Sequence, residues 1–404
     1  MQRMRVIVWG INYAPEVTGI APCNVALCEY FQSQGYDVEM VTSFAYYPQW
    51  KKREEDRGSV FRTDLVNDIR VHRCWHYVPN KVSALKRILH EGSFVAMSFL
   101  RLLFLRKSDV VVVVSPPLLL GAAAWLLTSI KGNRYHFHVQ DLQPDAAVGL
   151  NMLAPGLFTR LLYQLEALAY RNASKVSGIG QGMIDAFVRK NVPSEKIALL
   201  ANGFDVKGAE KPSITNFREK YHFSASDFLA VYSGNLGVKQ GLEILPAAAA
   251  LLTNPKIQIV ICGDGARRPL LQKEMERLGL TNIRLLPLLA DEDYRAMLEA
   301  ANICLITQQA GSGSAFLPSK LLPTLAYRRA VISVADEDSA LARAVAEGMF
   351  GANVLPGHAE ALAKVLEDFA SNQDHLLTFQ ANGHAYVSRF DHSKVLADFA
   401  KALA

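Results

Sequence analysis

No stretch of this chain offers the roughly 20 uninterrupted apolar residues that a bilayer-spanning helix needs. The nearest approach, from Leu85 to Leu105, is broken by Lys86, Arg87, His90, Glu91 and Arg101. Cysteine is scarce: Cys23, Cys28, Cys74, Cys262 and Cys304 are odd in number and show no CxxC or CxxH spacing. That scatter argues against structural zinc and points to a reducing compartment. Charge of one sign is also in short supply, for a net +5 over 404 residues is too mild to imply nucleic acid. No basic run alternates with stacking aromatics as a strand-binding groove would require. There is no GxGxxG turn after the first strand-like run, which removes the signature of a dinucleotide dehydrogenase. Low-complexity tracts and short repeats are missing as well. The opening Met1-Gln-Arg-Met-Arg5 leads straight into Val6-Ile-Val-Trp9, too short for a signal-peptide core and without a small-residue cleavage site. The expected location is therefore the cytoplasm.

What the chain has is alternation. Half of the residues are apolar and a fifth are charged, a globular balance at a length that suits two domains. Short β-branched runs at Arg5 to Trp9, Val38 to Thr42, Ile69 to Arg73, Val110 to Val114, Tyr135 to Val139 and Lys175 to Ile179 read as buried strands. Stretches of helical period such as Cys23 to Gln32 and Leu118 to Ser129 lie between them. The pattern restarts with Phe228 to Tyr232, Ile257 to Ile261, Ile283 to Leu285, Ile303 to Ile306 and Ala330 to Ser333. This predicts an α/β protein of two doubly wound parallel-sheet domains. The polar, Gly- and Pro-containing segment from Lys207 to Ile214 marks the boundary, giving domains 1–208 and 209–384, with a terminal helix within 385–404 crossing back to the first domain.

Ligands of open parallel sheets bind beyond the carboxyl ends of the strands, so those loops carry the chemistry. The most informative is Gly311-Ser-Gly-Ser-Ala-Phe-Leu-Pro-Ser319-Lys320-Leu-Leu-Pro323. Pro323 is tolerated only in a first helical turn, so a helix is expected to begin near Ser319, with Ser319 as its N-cap. Backbone N–H groups there, the hydroxyls of Ser314 and Ser319, and Lys320 suit a phosphate or diphosphate; the plain alternative is an ordinary capped helix. Gly19 lies in the loop after the first strand, and Ser233-Gly234-Asn235-Leu-Gly237-Val-Lys239-Gln-Gly241 follows the first strand of the second half. Gly263-Asp-Gly265-Ala-Arg267-Arg268 closes another strand and brings two guanidinium groups to a helix start. Asp141 and Asp145 follow the fifth strand, whose His136 and His138 share one face. Asp141 is placed to orient or deprotonate a ligand hydroxyl, or simply to cap the next helix. The histidines fit satisfied core residues. Between 81 and 107, Lys81, Lys86, Arg87, Arg101, Arg106 and Lys107 punctuate apolar positions, as in a helix pair that is either ordinary core or a basic apolar edge at a lipid surface.

These pieces, in this order, resemble the family 4 glycosyltransferases of the GT-B fold, and in particular the colanic-acid-type fucosyltransferases and their exopolysaccharide relatives. The matching segments are Tyr13-Ala-Pro-Glu-Val-Thr-Gly19, Val139-Gln-Asp141-Leu-Gln-Pro-Asp145, Asn202-Gly-Phe-Asp205, the 233–241 turn, Gly263-Asp-Gly265 and Leu317-Pro-Ser-Lys320. The resemblance implies a nucleotide-diphosphate sugar, GDP- or UDP-linked, bound mainly by the second domain. It implies a saccharide or polyprenyl-diphosphate-linked acceptor bound by the first, transfer with retention of configuration, and no metal. Gly19, Gly234, Asn235, Lys239, Gly263, Gly265, Arg267, Ser314, Ser319 and Lys320 are then the donor-binding set. Asp141 is the catalytic candidate, with Asp145 and His138 toward the acceptor. The chain departs from the family where two glutamates eight positions apart are usual: Ala315 and Pro323 occupy those positions. Gln140 stands where many relatives carry histidine. A nucleotide-sugar epimerase of the same fold, or a non-catalytic sugar-nucleotide-binding protein, are the alternative readings.

Overall fold

The computed structural model describes residues 3–17, 19–81, 83–149, 156–311 and 317–403. It divides into two compact units, Met1–Gly203 with Val395–Ala404, and Phe204–Lys394.

The first unit is built on an eight-stranded sheet. Its strands are β1 (Arg5–Trp9), β2 (Asp37–Ser43), β3 (Phe61–Val66), β4 (Ile69–Cys74), β5 (Val110–Ser115), β6 (Arg134–Val139), β7 (Lys175–Gly178) and β8 (Ile197–Leu199), in the order β3-β4-β2-β1-β5-β6-β7-β8. All pairs are parallel except β3 with β4. The near-continuous apolar strands β1 and β5 sit at the centre and are almost wholly buried, as strands covered on both faces must be. The second unit has β9 (Phe228–Ser233), β10 (Ile257–Cys262), β11 (Ile283–Leu286), β12 (Ile303–Thr307), β13 (Ala330–Val334) and β14 (Gly351–Val354), ordered β11-β10-β9-β12-β13-β14 and parallel throughout. Strand order reverses between β1 and β5 in one sheet and between β9 and β12 in the other. These are the two switch points at which ligand crevices open.

The eleven expected strands are present. Three more lack the expected signal: β3, at the sheet edge, is interrupted by the polar run Arg62-Thr63-Asp64, β8 has only three residues, and β14 opens on glycine. The expected boundary at 208 is corrected to 203. Phe204 pairs with Asp391 in an isolated parallel bridge, its N–H bonding Phe390 O and its C=O accepting from His392 N–H. Phe204 and Val206 also pack with Leu321, Leu325, Phe350 and Tyr386, so 204–208 belongs to the second unit. The return begins at Val395 rather than 385. The last helix, His392–Leu403, then packs Phe399 and Leu403 against β1, β2 and β5.

The expected helix pair over 81–107 is a single helix, Ala84–Phe104. Phe94 and Leu102 enter the core. Arg101 does not join a lipid-facing edge: its Nη2 lies 2.9 Å from Thr63 Oγ1 and 3.2 Å from His72 Nδ1. That network continues inward to Glu39, which is 3% exposed and pairs with Arg5 at 2.8 Å and Arg70 at 2.7 Å, with His72 Nε2 at 3.4 Å. Burial alone would push the Glu39 carboxyl up, but the His72 hydrogen bond and the two guanidiniums outweigh it and hold it down at about 2. Because the folded-state value lies below the ordinary 4.5, this stabilisation is complete above pH 4.5 and is lost as pH falls toward 2. Substituting Glu39→Gln takes the buried carboxylate from the half-buried Arg5 and the exposed Arg70, both of which keep Asp37 beside them, and should cost about 2 kcal/mol at pH 7 in urea unfolding. The deficit relative to wild type should shrink as the pH is lowered through that window, and a constant deficit would refute the assignment.

Candidate functional site

In the second unit the switch-point loops come together around one lysine. Tyr232 is the last inward-facing residue of β9, and its buried ring forms a seat. The Lys320 ammonium lies 3.8 Å from the ring centroid, a cation–π contact. A Cβ placed on Gly234 would come within 2.9 Å of Lys320 Nζ, so the ammonium rests against the bare backbone of the β9 turn. The Tyr232 hydroxyl donates to Asn235 O at 2.8 Å and ties the same turn to the seat. Burial pushes the Lys320 ammonium down to about 8, and among the described residues no carboxylate offsets it.

The neighbouring β10 turn is locked to this one. Gly263 has φ 153°, and a Cβ there would meet Gly234 O at 1.9 Å; one on Gly265, also φ 153°, would meet Leu236 O at 2.6 Å. Only glycine permits that approach. Backbone bonds follow from it: Gly234 N–H to Cys262 O, Leu236 N–H to Asp264 O, and Arg267 N–H to Leu236 O. The guanidinium groups serve the frame. Arg268 Nη1 donates to Gly263 O at 2.6 Å and Leu286 O at 2.8 Å, while Arg267 pairs with Glu243 at 3.3 Å.

Ser319 is not the N-cap that the sequence suggests. The helix is Leu321–Ala326, Lys320 is its N-cap residue without a side-chain cap bond, and Ser319 is an exposed turn residue. Leu321 N–H bonds Pro318 O, so the Pro318–Leu321 turn closes one residue later than expected. With six residues this helix has little macrodipole, and the charge at the site is that of Lys320 itself. Pro323 falls in the first turn, as expected. Lys239 is exposed on the short 3-10 turn Val238–Gln240, and its carbonyl accepts from Gln309 N–H at 2.8 Å, holding the loop after β12 beside the loop after β9. Asn235 is exposed at the same turn. Ser314 and Ala315 lie outside the described residues.

In the first unit, Gly19 (φ 66°) is exposed in the loop after β1. Glu16, only 7% exposed, holds that loop: Oε1 accepts from the N–H of Tyr46 and of Tyr47, each at 2.8 Å, and Oε2 accepts from Asn12 Nδ2 at 2.8 Å. Sequence reading missed it, although it stands inside the quoted 13–19 motif; a buried glutamate in a loop is the signal. Asp141 is half-buried two residues past β6, at the same sheet edge as Gly19.

His138 does not present itself to a ligand. His138 is buried, its Nδ1 is 2.8 Å from Ser177 Oγ and its Nε2 2.9 Å from Gln140 Nε2. Its ring is part of the core, because burial holds both His136 and His138 down at about 3. Asp145, in the first turn of the helix Gln143–Gly149, is committed to an ion pair with Lys190, which also bonds Glu166 at 2.6 Å.

Comparison with known proteins identifies the family. Residues 18–203 match the "Glycosyl transferase 4-like domain" and residues 213–386 match "Glycosyl transferases group 1". The candidate colanic acid biosynthesis glycosyl transferase WcaI of Escherichia coli (strain K12) is 32% identical over 80% of this chain and 81% of its own. Among solved structures, sucrose-phosphate synthase from Thermosynechococcus elongatus superposes with TM-score 0.74 at 17% identity, covering 99% of this chain and 98% of that one. Anabaena HepE in complex with UDP gives TM-score 0.71 at 17% identity, covering 99% of each. At such identity these two speak for the fold alone. With family matches on both units and a curated relative aligned over four-fifths of each chain, the chain belongs to the GT4-like glycosyltransferases of the GT-B fold.

Proposed function

We propose that this protein transfers a hexosyl or deoxyhexosyl group, with retention of configuration, from a GDP- or UDP-linked sugar to a saccharide acceptor in exopolysaccharide synthesis. The observation that carries the reading is the Lys320 ammonium, desolvated on Tyr232 against the Gly234 turn without a carboxylate to neutralise it. A cation held in that state favours an arriving dianion. Departure of a nucleoside diphosphate builds negative charge on the leaving phosphate, so preorganised positive charge there lowers the barrier. Lys239, Asn235, the N–H groups of the 234–237 and 263–265 turns, and the Ser314–Ser319 loop complete the donor set in this proposal. Lys320 charge takes the place of a metal ion. WcaI is named for colanic acid biosynthesis and HepE was solved with UDP and with UDP-glucose, which supports both the pathway class and the donor class.

Asp141 is assigned to orient the acceptor hydroxyl, while the leaving phosphate oxygen takes its proton. The acceptor is proposed to be linked to a polyprenyl diphosphate, which would bring the protein to the inner face of the plasma membrane. Support comes from apolar side chains left exposed on three helices of the first unit. Leu85 (68%) and Phe104 (79%) lie on Ala84–Phe104, Ile130 (60%) on Leu119–Lys131, and Leu157 (83%) on Leu157–Asn172. Exposed Lys86, Arg87, Arg106 and Lys107 accompany the first helix. Exposed apolar side chains accompanied by lysine and arginine suit anionic lipid. Among the described residues no helix is long and apolar enough to cross a membrane.

Thermal shifts against a panel of nucleoside diphosphates and their sugars should identify one nucleotide, since a ligand of the folded state raises the melting temperature; no shift with any of them would favour the non-catalytic reading. With that nucleotide, calorimetry between pH 7 and 9.5 should show affinity falling once pH exceeds about 8, as the free-state ammonium is lost. Lys320→Arg should bind without that decline because guanidinium stays charged. Lys320→Ala should bind roughly 10–100-fold more weakly at pH 7. An unchanged affinity in Lys320→Ala would remove the central observation.

Asp141→Asn should lower turnover while the donor dissociation constant stays the same, and full turnover would dismiss its role. Sedimentation with phosphatidylglycerol vesicles should fall in the double variant Lys86→Glu/Arg87→Glu; unaltered sedimentation would argue against the membrane face.

A further inference from the structure

We infer that the paired amides of Gln140 and Asn202 are a positioning element that sets the Asp141 segment for the acceptor. This rests on the assignment of Asp141 made above. Gln140 Nε2 donates one hydrogen to Asn202 Oδ1 at 2.8 Å and the other to His138 Nε2 at 2.9 Å, and Gln140 Oε1 accepts from Asn202 Nδ2 at 2.8 Å. The hydrogen bonds then dictate their own direction. With Nε2 as an acceptor, His138 carries its proton on Nδ1 and donates it to Ser177 Oγ at 2.8 Å. Ser177 in turn donates to His136 Nε2 at 2.7 Å.

This chain of five side chains runs from the core to the sheet edge; four are sealed from solvent and Asn202, at its outer end, is half-buried. His136 is 1%, His138 4%, Ser177 0% and Gln140 8% exposed. Phe399 of the last helix covers both imidazoles, with ring centroids 5.1 and 5.0 Å away. Burial also holds both imidazoles neutral, so the chain does not titrate in the physiological range.

The two ends of the amide pair occupy telling places. Gln140 N–H bonds Ser115 O at the end of β5, and the next residue is Asp141. Asn202 stands next to Gly203, the last residue of the unit before the chain leaves it. The pair therefore pins the segment carrying Asp141 to the exit segment, and the 202–205 motif acquires a physical role.

Two experiments test this. Native-state hydrogen exchange needs no substrate: in Asn202→Ala the amides of Gln140 and Gln143 should exchange at least about tenfold faster while those of β1 stay protected. Unchanged exchange at Gln140 and Gln143 overturns the proposal. The second is a double-mutant cycle between Gln140→Leu and Asp141→Asn, with the identified nucleotide sugar as donor and a polyprenyl-diphosphate-linked monosaccharide as acceptor. Gln140→Leu should lower kcat/KM for the acceptor roughly 10–100-fold with the nucleotide dissociation constant unchanged. It should add nothing further in the Asp141→Asn background. Additive losses, or a lowered melting temperature with unaltered kinetics, overturn it. Should Gln140→Leu fail to fold, Asn202→Ala takes its place in the cycle. A silent Asp141→Asn would refute the Asp141 assignment on its own, whatever the exchange result.

Discussion

The carboxyl-end edge of the second unit's sheet depends on two backbones approaching closer than any side chain allows. The turn after β10 lies directly on the turn after β9, with Gly263 and Gly265 where a Cβ would collide with the carbonyls of Gly234 and Leu236. That contact brings the Gly234 backbone to the Lys320 ammonium, fixes the Asn235 carbonyl over the Tyr232 hydroxyl, and aligns the start of the helix Arg268–Arg277. Arg268 then covers the Gly263 and Leu286 carbonyls that the turn leaves open. Buried carbonyls without donors would be costly, so the guanidinium is part of the frame rather than of the ligand set.

Lys320 sits in this frame at a cost to folding. Its folded-state value near 8 lies below the ordinary 10.5, so the unfolded chain binds the proton more tightly between those limits. The sign is that the folded state gains stability as pH rises through that window and carries the penalty below it. The Tyr232 ring offsets part of the penalty through its face. An anion would offset the rest on binding, which is how a desolvated cation converts folding free energy into affinity. On the proposed reading, the site is strained where it must later hold charge.

Much of this was legible in the sequence, and the reasons for the remainder are local. Eleven strands announced themselves because strands covered on both faces are written in Val, Ile and Leu; β3, an edge strand, is Phe-Arg-Thr-Asp-Leu-Val and resembles surface. The glycine turns and Lys320 were readable because few other residues tolerate such positions. The cap was misplaced by one residue, since Ser319 has the side chain of an N-cap but Pro318 to Leu321 close the turn first. His138 and Asp145 were assigned by residue type at a ligand-facing strand end. Their partners, Ser177 and Lys190, lie 39 and 45 residues away in the chain, and no local pattern announces them. Arg101 was counted with the exposed basic residues for the same reason, its partners Thr63 and His72 lying on strands β3 and β4.

The two units handle polarity in opposite ways, and the contrast follows from what each is proposed to hold. At the first unit's ligand edge the buried polar groups are bonded to one another: Glu16 to two backbone amides and Asn12, and Gln140 to Asn202 and His138. The amide and imidazole groups of that set are bonded to one another and carry no net charge, which suits the orientation of a neutral hydroxyl. At the second unit's edge one cation is left without a carboxylate. An unbalanced charge is expensive in the free protein and acts most strongly on the group whose charge grows during the reaction. On the proposed reading, interlocked polar groups at one sheet edge and an ammonium without a carboxylate at the other divide the work between positioning an acceptor and stabilising a leaving phosphate.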